Sequence, residues 1–217
     1  MSEPAAVLRL HYYPSNASLA PHIALREIGV PFELVLVDRA AQAQHAPAYR
    51  RLNPTGRIPT LEDGDLVLWE TAAILLHLGE RFPAAGLVPP PGTRLHAQLL
   101  TWLFHLSNTP QAEMRGYFYP HTRSDDAAAL PGIKAKAEAT LAEMFTYIDT
   151  ALGQGPFLLG ATYTVADPLL LTLIRWGRGF ARPLHDYPHL GPYAQRMLAR
   201  PAVAAAFAAE GLSAPFV

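Results

Sequence analysis

The chain has 217 residues, of which half are hydrophobic and 16% are charged, a composition that excludes a disordered protein and can build one or two small domains. Its formal charge is −1 and its pI is near 6.8, so nucleic acid and anionic membranes are not expected partners. The absence of cysteine excludes disulfides, thiolate metal sites and a protein thiol nucleophile.

Export, membrane insertion and metal binding are also not expected. The first residues lack a basic segment followed by an apolar run, and no stretch approaches the roughly 20 apolar residues of a membrane span. None of the nine histidines is spaced with carboxylates as in a metal site, and Pro188 separates His185 from His189. We therefore expect a cytoplasmic protein without a metal.

The first 85 residues alternate strand and helix patterns. Apolar runs and turn residues predict strands over 7–12, 32–37, 60–62 and 66–69, and helices over 18–28, about 47–51 and 71–81. Asp63-Gly64 predicts a hairpin between the last two strands. The order β-α-β-(α)-β-β-α, with a parallel first pair, is the thioredoxin-like arrangement.

The second half has a helical pattern throughout. Residues 86–93 contain three consecutive prolines, which is typical of a stiff linker. Helical periodicity follows over residues 95–108, 133–152, 164–176, 192–199 and 201–210. We therefore predict an α/β thioredoxin-like domain (1–85), a linker (86–93) and an all-helical domain (94–217).

Two short segments indicate a binding site. Ile58-Pro59 stands at the start of a strand, where a cis bond would hold a tight bend and turn backbone groups outward to meet a peptide-like ligand. Glu70-Thr71 begins a helix, whose free amides are a natural seat for a carboxylate. Together they predict a site for a small peptide with an amine and carboxylates; the alternative is a surface turn and an ordinary helix cap.

The ordered set of motifs resembles the cytosolic glutathione S-transferases, and within them the bacterial beta class. The matching segments are residues 12–14, 17–27, 53–59, 164–167, 195–197, 200–201 and 209–212, together with the pair Glu70-Thr71. The resemblance covers essentially the whole chain. It implies the two-domain fold of that family, a homodimer, a role in detoxification, and glutathione as a substrate with a small hydrophobic electrophile as its partner.

The resemblance also implies roles for particular residues. The Ile58 backbone, beside Pro59, would pair with the cysteinyl unit of glutathione. Glu70 and Thr71 would hold the γ-glutamyl end, and Arg57 would contact a carboxylate.

One departure from the beta class concerns the thiol. The position of the family's cysteine is Ala17, and the position of its assisting histidine, counted from Trp102, is Gln111. His105 could substitute for that histidine, but a core or surface role is the stronger alternative.

A glutathione thiol needs help to ionise near neutral pH, because its pKa should be near the value of about 8.5 of a free cysteine. Ser18 is the best-placed hydroxyl for this task, and Ser15 or Asn16 in the same turn could donate instead. The alternative makes one of them the N-cap of the first helix. Trp176 matches a pocket-lining position of the beta class and could contact the electrophile, or belong to the core.

The sequence leaves two functions open. Intact Ile58-Pro59 and Glu70-Thr71 segments favour a glutathione-dependent transferase. Ala17 and Gln111 favour a glutathione-binding or regulatory protein with little turnover. A third motif, the Thr164-x-x-Asp167 box, is assigned to folding, because such a box satisfies free amides at a helix start.

Overall fold

The computed structural model describes residues 7–217, which divide into two compact units. The first contains the described residues up to Val88 together with Leu198–Phe216, and the second contains Pro89–Met197 and Val217. The elements are, in chain order, β1 (Leu8–Tyr12), α1 (Leu19–Ile28), β2 (Phe32–Leu36), α2 (Pro47–Leu52), β3 (Thr60–Asp63), β4 (Leu66–Trp69), α3 (Thr71–Arg81), α4 (Arg94–Asn108), α5 (Pro110–Phe118), α6 (Leu130–Leu152), α7 (Ala166–Trp176), α8 (Leu190–Leu198) and α9 (Pro201–Ala209).

A mixed four-stranded sheet, in the order β2-β1-β3-β4, forms the centre of the first unit. β1 and β2 are parallel, whereas β1 with β3 and β3 with β4 are antiparallel. The register pairs Leu10 with Leu61, and both side chains are fully buried. This sheet and its flanking helices confirm the predicted thioredoxin-like arrangement.

Helices α1 and α3 pack against each other in the first unit. The buried residues of α3 recur at helical spacing and form one face of the helix, whereas the first seven residues of α1 are all buried. The large aliphatic side chains that are fully buried are Leu19, Ile23 and Leu25 of α1 and Ile74, Leu75 and Leu78 of α3. This packing fixes the two helix starts that contribute to the candidate site.

The second unit is helical, with α5 packed against α6 and α4 against α7. Leu141, Phe145 and Ile148 lie on one stripe of α6 and are fully buried, as the helical spacing predicts. Within residues 7–217, no helix combines the length and the hydrophobicity needed to cross a membrane.

The structure differs from the sequence-based elements in three places. α5 has no counterpart among the predicted helices; it has only 9 residues and contains Gly116, which weakens the helical signal. α6 begins at Leu130, earlier than predicted, because Pro131 is tolerated in a first turn. The C-terminal residues with α9 pack with the first unit, through α1, although the sequence placed them in the helical domain.

Candidate functional site

Three segments of the first unit meet at one end of its sheet. The register pairs His11 with Thr60 and Thr60 with Trp69. The end of β1, the start of β3 and the end of β4 are therefore neighbours. Each of these ends connects directly to a segment that the sequence singled out: the Ser15–Ser18 turn, Ile58-Pro59 and Glu70-Thr71.

The Ile58–Pro59 peptide bond is cis, and its neighbours are held by hydrogen bonds. The Arg57 carbonyl accepts bonds from the Tyr49 hydroxyl at 2.6 Å and from Asn53 Nδ2 at 2.8 Å. Burial raises the pKa of Tyr49, so this hydroxyl remains a donor at neutral pH. These contacts lock the chain that leads into the proline.

Ile58 has a buried side chain and a backbone that is available for hydrogen bonding. The side chain packs in a cluster with Val37 and Tyr49. Among residues 7–217, neither the N–H nor the carbonyl of Ile58 has a hydrogen-bond partner. A main chain held in this way can pair with another peptide. Pro59 is buried beside it, and the Arg57 side chain is exposed.

Glu70 and Thr71 form an unusual helix start. Glu70 is exposed and has φ 75° and ψ 121°, a conformation that costs a non-glycine residue about 1–3 kcal/mol. No side chain caps α3, and in the described part of the chain the N–H groups of Thr71, Ala72 and Ala73 lack hydrogen-bond partners. These free amides and the helix dipole make the start of α3 suitable for a carboxylate.

The turn into α1 contains the three predicted thiol-activating residues. Ser15 is left-handed, with φ 58°, and its N–H donates to Glu210 Oε2 at 2.9 Å. Asn16 is half-buried, and its Oδ1 accepts from the Ala17 N–H at 2.7 Å. Within residues 7–217 the Asn16 Nδ2 has no hydrogen-bond partner. The Asn16 amide nitrogen is therefore an available donor.

Ser18 is fully buried, and its hydroxyl is committed to the backbone of Tyr13. It donates to the Tyr13 carbonyl at 3.2 Å and accepts from the Tyr13 N–H at 3.3 Å. Although Ser18 stands at the N-cap position of α1, its side chain makes no capping bond. This arrangement disfavours the expectation that Ser18 acts on a thiol and favours a structural role in the turn.

The remaining candidates lie in the second unit. Trp176 is half-buried at the end of α7. His105 packs against Trp102 and Tyr147, and burial lowers the pKa of its imidazole, which favours a packing role. Among the described residues, no three histidine or acidic side chains are grouped so that they could hold a metal ion.

Sequence reasoning did not identify Tyr49, Asn53 or Glu210 as parts of the site. Asn53 lies inside the segment that was singled out, but its bond to the Arg57 carbonyl depends on the local bend. Glu210 lies 195 residues from Ser15, so no local spacing could connect the two.

In the Thr164–Asp167 box, also in the second unit, the hydrogen bonds are made within the protein itself. Asp167 is fully buried and accepts bonds from the N–H groups of Leu158 and Thr164 and from the Tyr193 hydroxyl. Burial raises the pKa of Asp167 to about 6, although these hydrogen bonds oppose the shift.

Comparison with known proteins defines the family. Residues 6–80 match the glutathione S-transferase N-terminal domain, and residues 112–210 match the C-terminal domain. Glutathione S-transferase GstA of Escherichia coli O157:H7 is 32% identical over 94% of this chain and 100% of its own length. The chain therefore belongs to the glutathione S-transferase family.

Solved structures agree with this assignment. A glutathione transferase homologue from Sulfitobacter, with bound glutathione, has a TM-score of 0.88 and 30% identity over 96% of this chain and 100% of its own. A sphingomonad glutathione S-transferase complexed with glutathione has a TM-score of 0.83 and 35% identity, covering 94% and 100%. The predicted family and fold are confirmed, and these relatives support a glutathione-binding transferase.

Proposed function

We propose that this chain binds glutathione in its first unit and promotes attack of the glutathione thiolate on a small hydrophobic electrophile. The proposal is carried by one observation at a single end of the sheet. Within residues 7–217, neither the N–H groups of residues 71–73 at the start of α3 nor the Ile58 backbone has a hydrogen-bond partner. A tripeptide with a free α-carboxylate and a peptide main chain supplies the groups that both features lack.

Each part of glutathione has a complementary group. The Ile58 N–H and carbonyl pair with the main chain of the cysteinyl unit, beside Pro59. The Glu70 carboxylate receives the γ-glutamyl ammonium group, and the amides at Thr71 receive its carboxylate. Arg57 is exposed next to Ile58 and is available to contact the glycyl carboxylate.

The turn at residues 15–18 assists the thiol in place of a cysteine. A hydrogen-bond donor and a helix N-terminus both stabilise a thiolate, and α1 begins directly after this turn. The available Asn16 amide is the first candidate, with the Ser15 hydroxyl as the second. Ser18 would then support the turn from beneath, through Tyr13.

Further properties follow from family membership as proposals. The protein would be a cytoplasmic homodimer with a role in detoxification, and Trp176 would line the pocket for the electrophile. Analytical ultracentrifugation checks the dimer, and a monomer at micromolar concentration would contradict it.

Calorimetry with glutathione and with the dipeptide Cys-Gly tests the binding mode. Cys-Gly keeps the main chain and the thiol but lacks the γ-glutamyl group. We expect heat from glutathione and affinity for Cys-Gly lower by at least about tenfold, because the dipeptide leaves the start of α3 empty. No heat with glutathione would overturn the proposed function, and equal affinities would remove the γ-glutamyl role of α3.

A binding or regulatory protein is the second candidate, and Ala17 in the place of the beta-class cysteine favours it. Steady-state conjugation of an aryl halide separates the two functions. Binding of glutathione without conjugation, across a panel of aryl halides and epoxides, would favour the regulatory protein.

A further inference from the structure

The last helix of the chain contributes a buried carboxylate to the turn that faces the proposed thiol position. Glu210 ends α9 and has a side chain that is fully buried in the first unit. Its Oε2 accepts from the Ser15 N–H at 2.9 Å, and its Oε1 is 2.9 Å from His22 Nδ1. One carboxylate therefore joins α9, the turn and α1.

The backbone around Glu210 holds this carboxylate in place. Leu212 N–H bonds to the Phe207 carbonyl, and Gly211 N–H bonds to the Ala208 carbonyl. Gly211 has φ 65°, as a left-handed residue after a helix requires. These are the bonds of a Schellman motif, a well-defined helix ending.

A glutamate is an unfavourable choice at this position on local grounds. A helix C-terminus carries partial negative charge, and burying a carboxylate is costly unless hydrogen bonds satisfy it. Here His22 and the Ser15 N–H satisfy it, and Arg26 Nε lies 3.4 Å from the other nitrogen of His22. The chain thus keeps a buried acid where helix stability alone would not select one.

This arrangement stabilises the backbone conformation of Ser15. It is one of three non-glycine residues with positive φ among residues 7–217, together with Gln42 and Glu70. A left-handed serine persists only where its surroundings hold it. Glu210 does so by fixing the Ser15 N–H, and the next residue, Asn16, is the proposed thiol donor.

We propose that Glu210 is a positioning residue that holds the Ser15–Asn16 turn in the geometry needed to ionise the glutathione thiol. This inference rests on the proposed function and extends it to the C-terminal helix. Glu210 acts through the Ser15 backbone. The titratable groups of this hydrogen-bond network are Glu210, His22 and Arg26. It makes no direct contact with the substrate in this role.

The test compares Glu210→Ala with Arg200→Ala. Arg200 also links α9 to α1, through an ion pair with Glu27 that has two bonds at 2.6 and 3.0 Å, and it is not part of the turn. Both variants weaken the attachment of α9, but only Glu210→Ala releases Ser15. Thermal unfolding of each variant measures the loss of stability that the two have in common.

Three readouts separate positioning from stability. In Glu210→Ala we expect amide hydrogen exchange of residues 13–18 to rise, and kcat for aryl-halide conjugation to fall about tenfold, which is the scale of one lost buried hydrogen bond. The pH at which bound glutathione forms its thiolate should also rise towards that of free glutathione. Arg200→Ala should leave all three near wild type, and Glu210→Gln, which keeps an acceptor for Ser15, should recover part of the loss.

The outcomes distinguish the two proposals. A wild-type protein that neither binds nor conjugates glutathione overturns the proposed function. An active wild type in which Glu210→Ala and Arg200→Ala reduce kcat equally, with an unchanged thiol ionisation, overturns the role of Glu210 alone.

Discussion

Two helix starts in this molecule carry an acid and a threonine, and their environments are opposite. At α3, Glu70 is exposed with φ 75°, and the first backbone N–H groups lack partners within residues 7–217. At α7, Asp167 is buried and accepts bonds from two N–H groups and the Tyr193 hydroxyl. The same residue types therefore serve folding where the chain satisfies them itself, and under the proposed function they serve ligand binding at the start of α3.

The largest expected effect is a loss of stability when the start of α7 is mutated. Asp167→Ala removes the acceptor for three buried donors, at about 1–3 kcal/mol for each unsatisfied group, so we expect a loss of about 3–5 kcal/mol of unfolding free energy. Urea denaturation followed by circular dichroism measures it. The matched control is Asp126→Ala, which removes an exposed aspartate that accepts from the Ala128 N–H and should cost about 1 kcal/mol or less. Equal losses in the two variants would contradict the role of burial.

The pH dependence of stability sharpens the comparison. Burial raises the pKa of Asp167 from 3.8 to about 6, so the folded state holds this proton more tightly than the unfolded state. The stability from this group is fully present below pH 3.8 and is lost as pH rises through 6. Two units of pKa correspond to about 3 kcal/mol.

Comparison of wild type with Asp167→Asn isolates this contribution, because asparagine does not titrate. We expect the stability of wild type relative to the variant to fall by about 2.5 kcal/mol between pH 4 and pH 7. Denaturation curves at five pH values measure the difference. A constant difference across that range would show that Asp167 titrates normally.

Which parts of the site could be predicted depends on how local their contacts are. Ile58-Pro59 and Glu70-Thr71 are recognisable because a proline at a strand start and a cap-type residue at a helix start act within a few positions. The burial of Ser18 depends on how the turn folds back on Tyr13, so residue type and order do not show it.

The contribution of α9 illustrates the other limit. Glu27 and Arg200 are 173 residues apart, and their bond attaches the C-terminal helix to α1. A helical pattern predicts that α9 exists, but its partner is chosen by tertiary packing. The linker composition at residues 86–93 predicts a change in structure, but it could not indicate that the chain returns to the first unit.

Mutation at the start of α3 should change the affinity for glutathione rather than the stability of the protein. Glu70→Ala removes the proposed partner of the γ-glutamyl ammonium group, so we expect glutathione affinity to fall about ten- to a hundredfold, as for a lost charge-assisted hydrogen bond. Calorimetry measures the affinity, and thermal unfolding should change little. Asp65→Ala, at another exposed acid of the first unit, is the control and should bind like wild type. Undiminished binding by Glu70→Ala would argue against the assignment.

The smallest expected effect compares two glycine substitutions at the start of α3. Glycine in a helix normally costs about 1 kcal/mol, and Ala73→Gly, at an exposed position of the first turn, should show that loss. Glu70→Gly should cost less, because the substitution removes a Cβ from a residue with φ 75° and so relieves part of a conformational penalty of about 1–3 kcal/mol. Urea denaturation of both variants measures the difference. If Glu70→Gly retains stability while losing glutathione affinity, the strained conformation of Glu70 serves the ligand. If Glu70→Gly is destabilised as much as Ala73→Gly, the conformation of Glu70 carries no such penalty. The contrast between α3 and α7 then rests on hydrogen bonding alone.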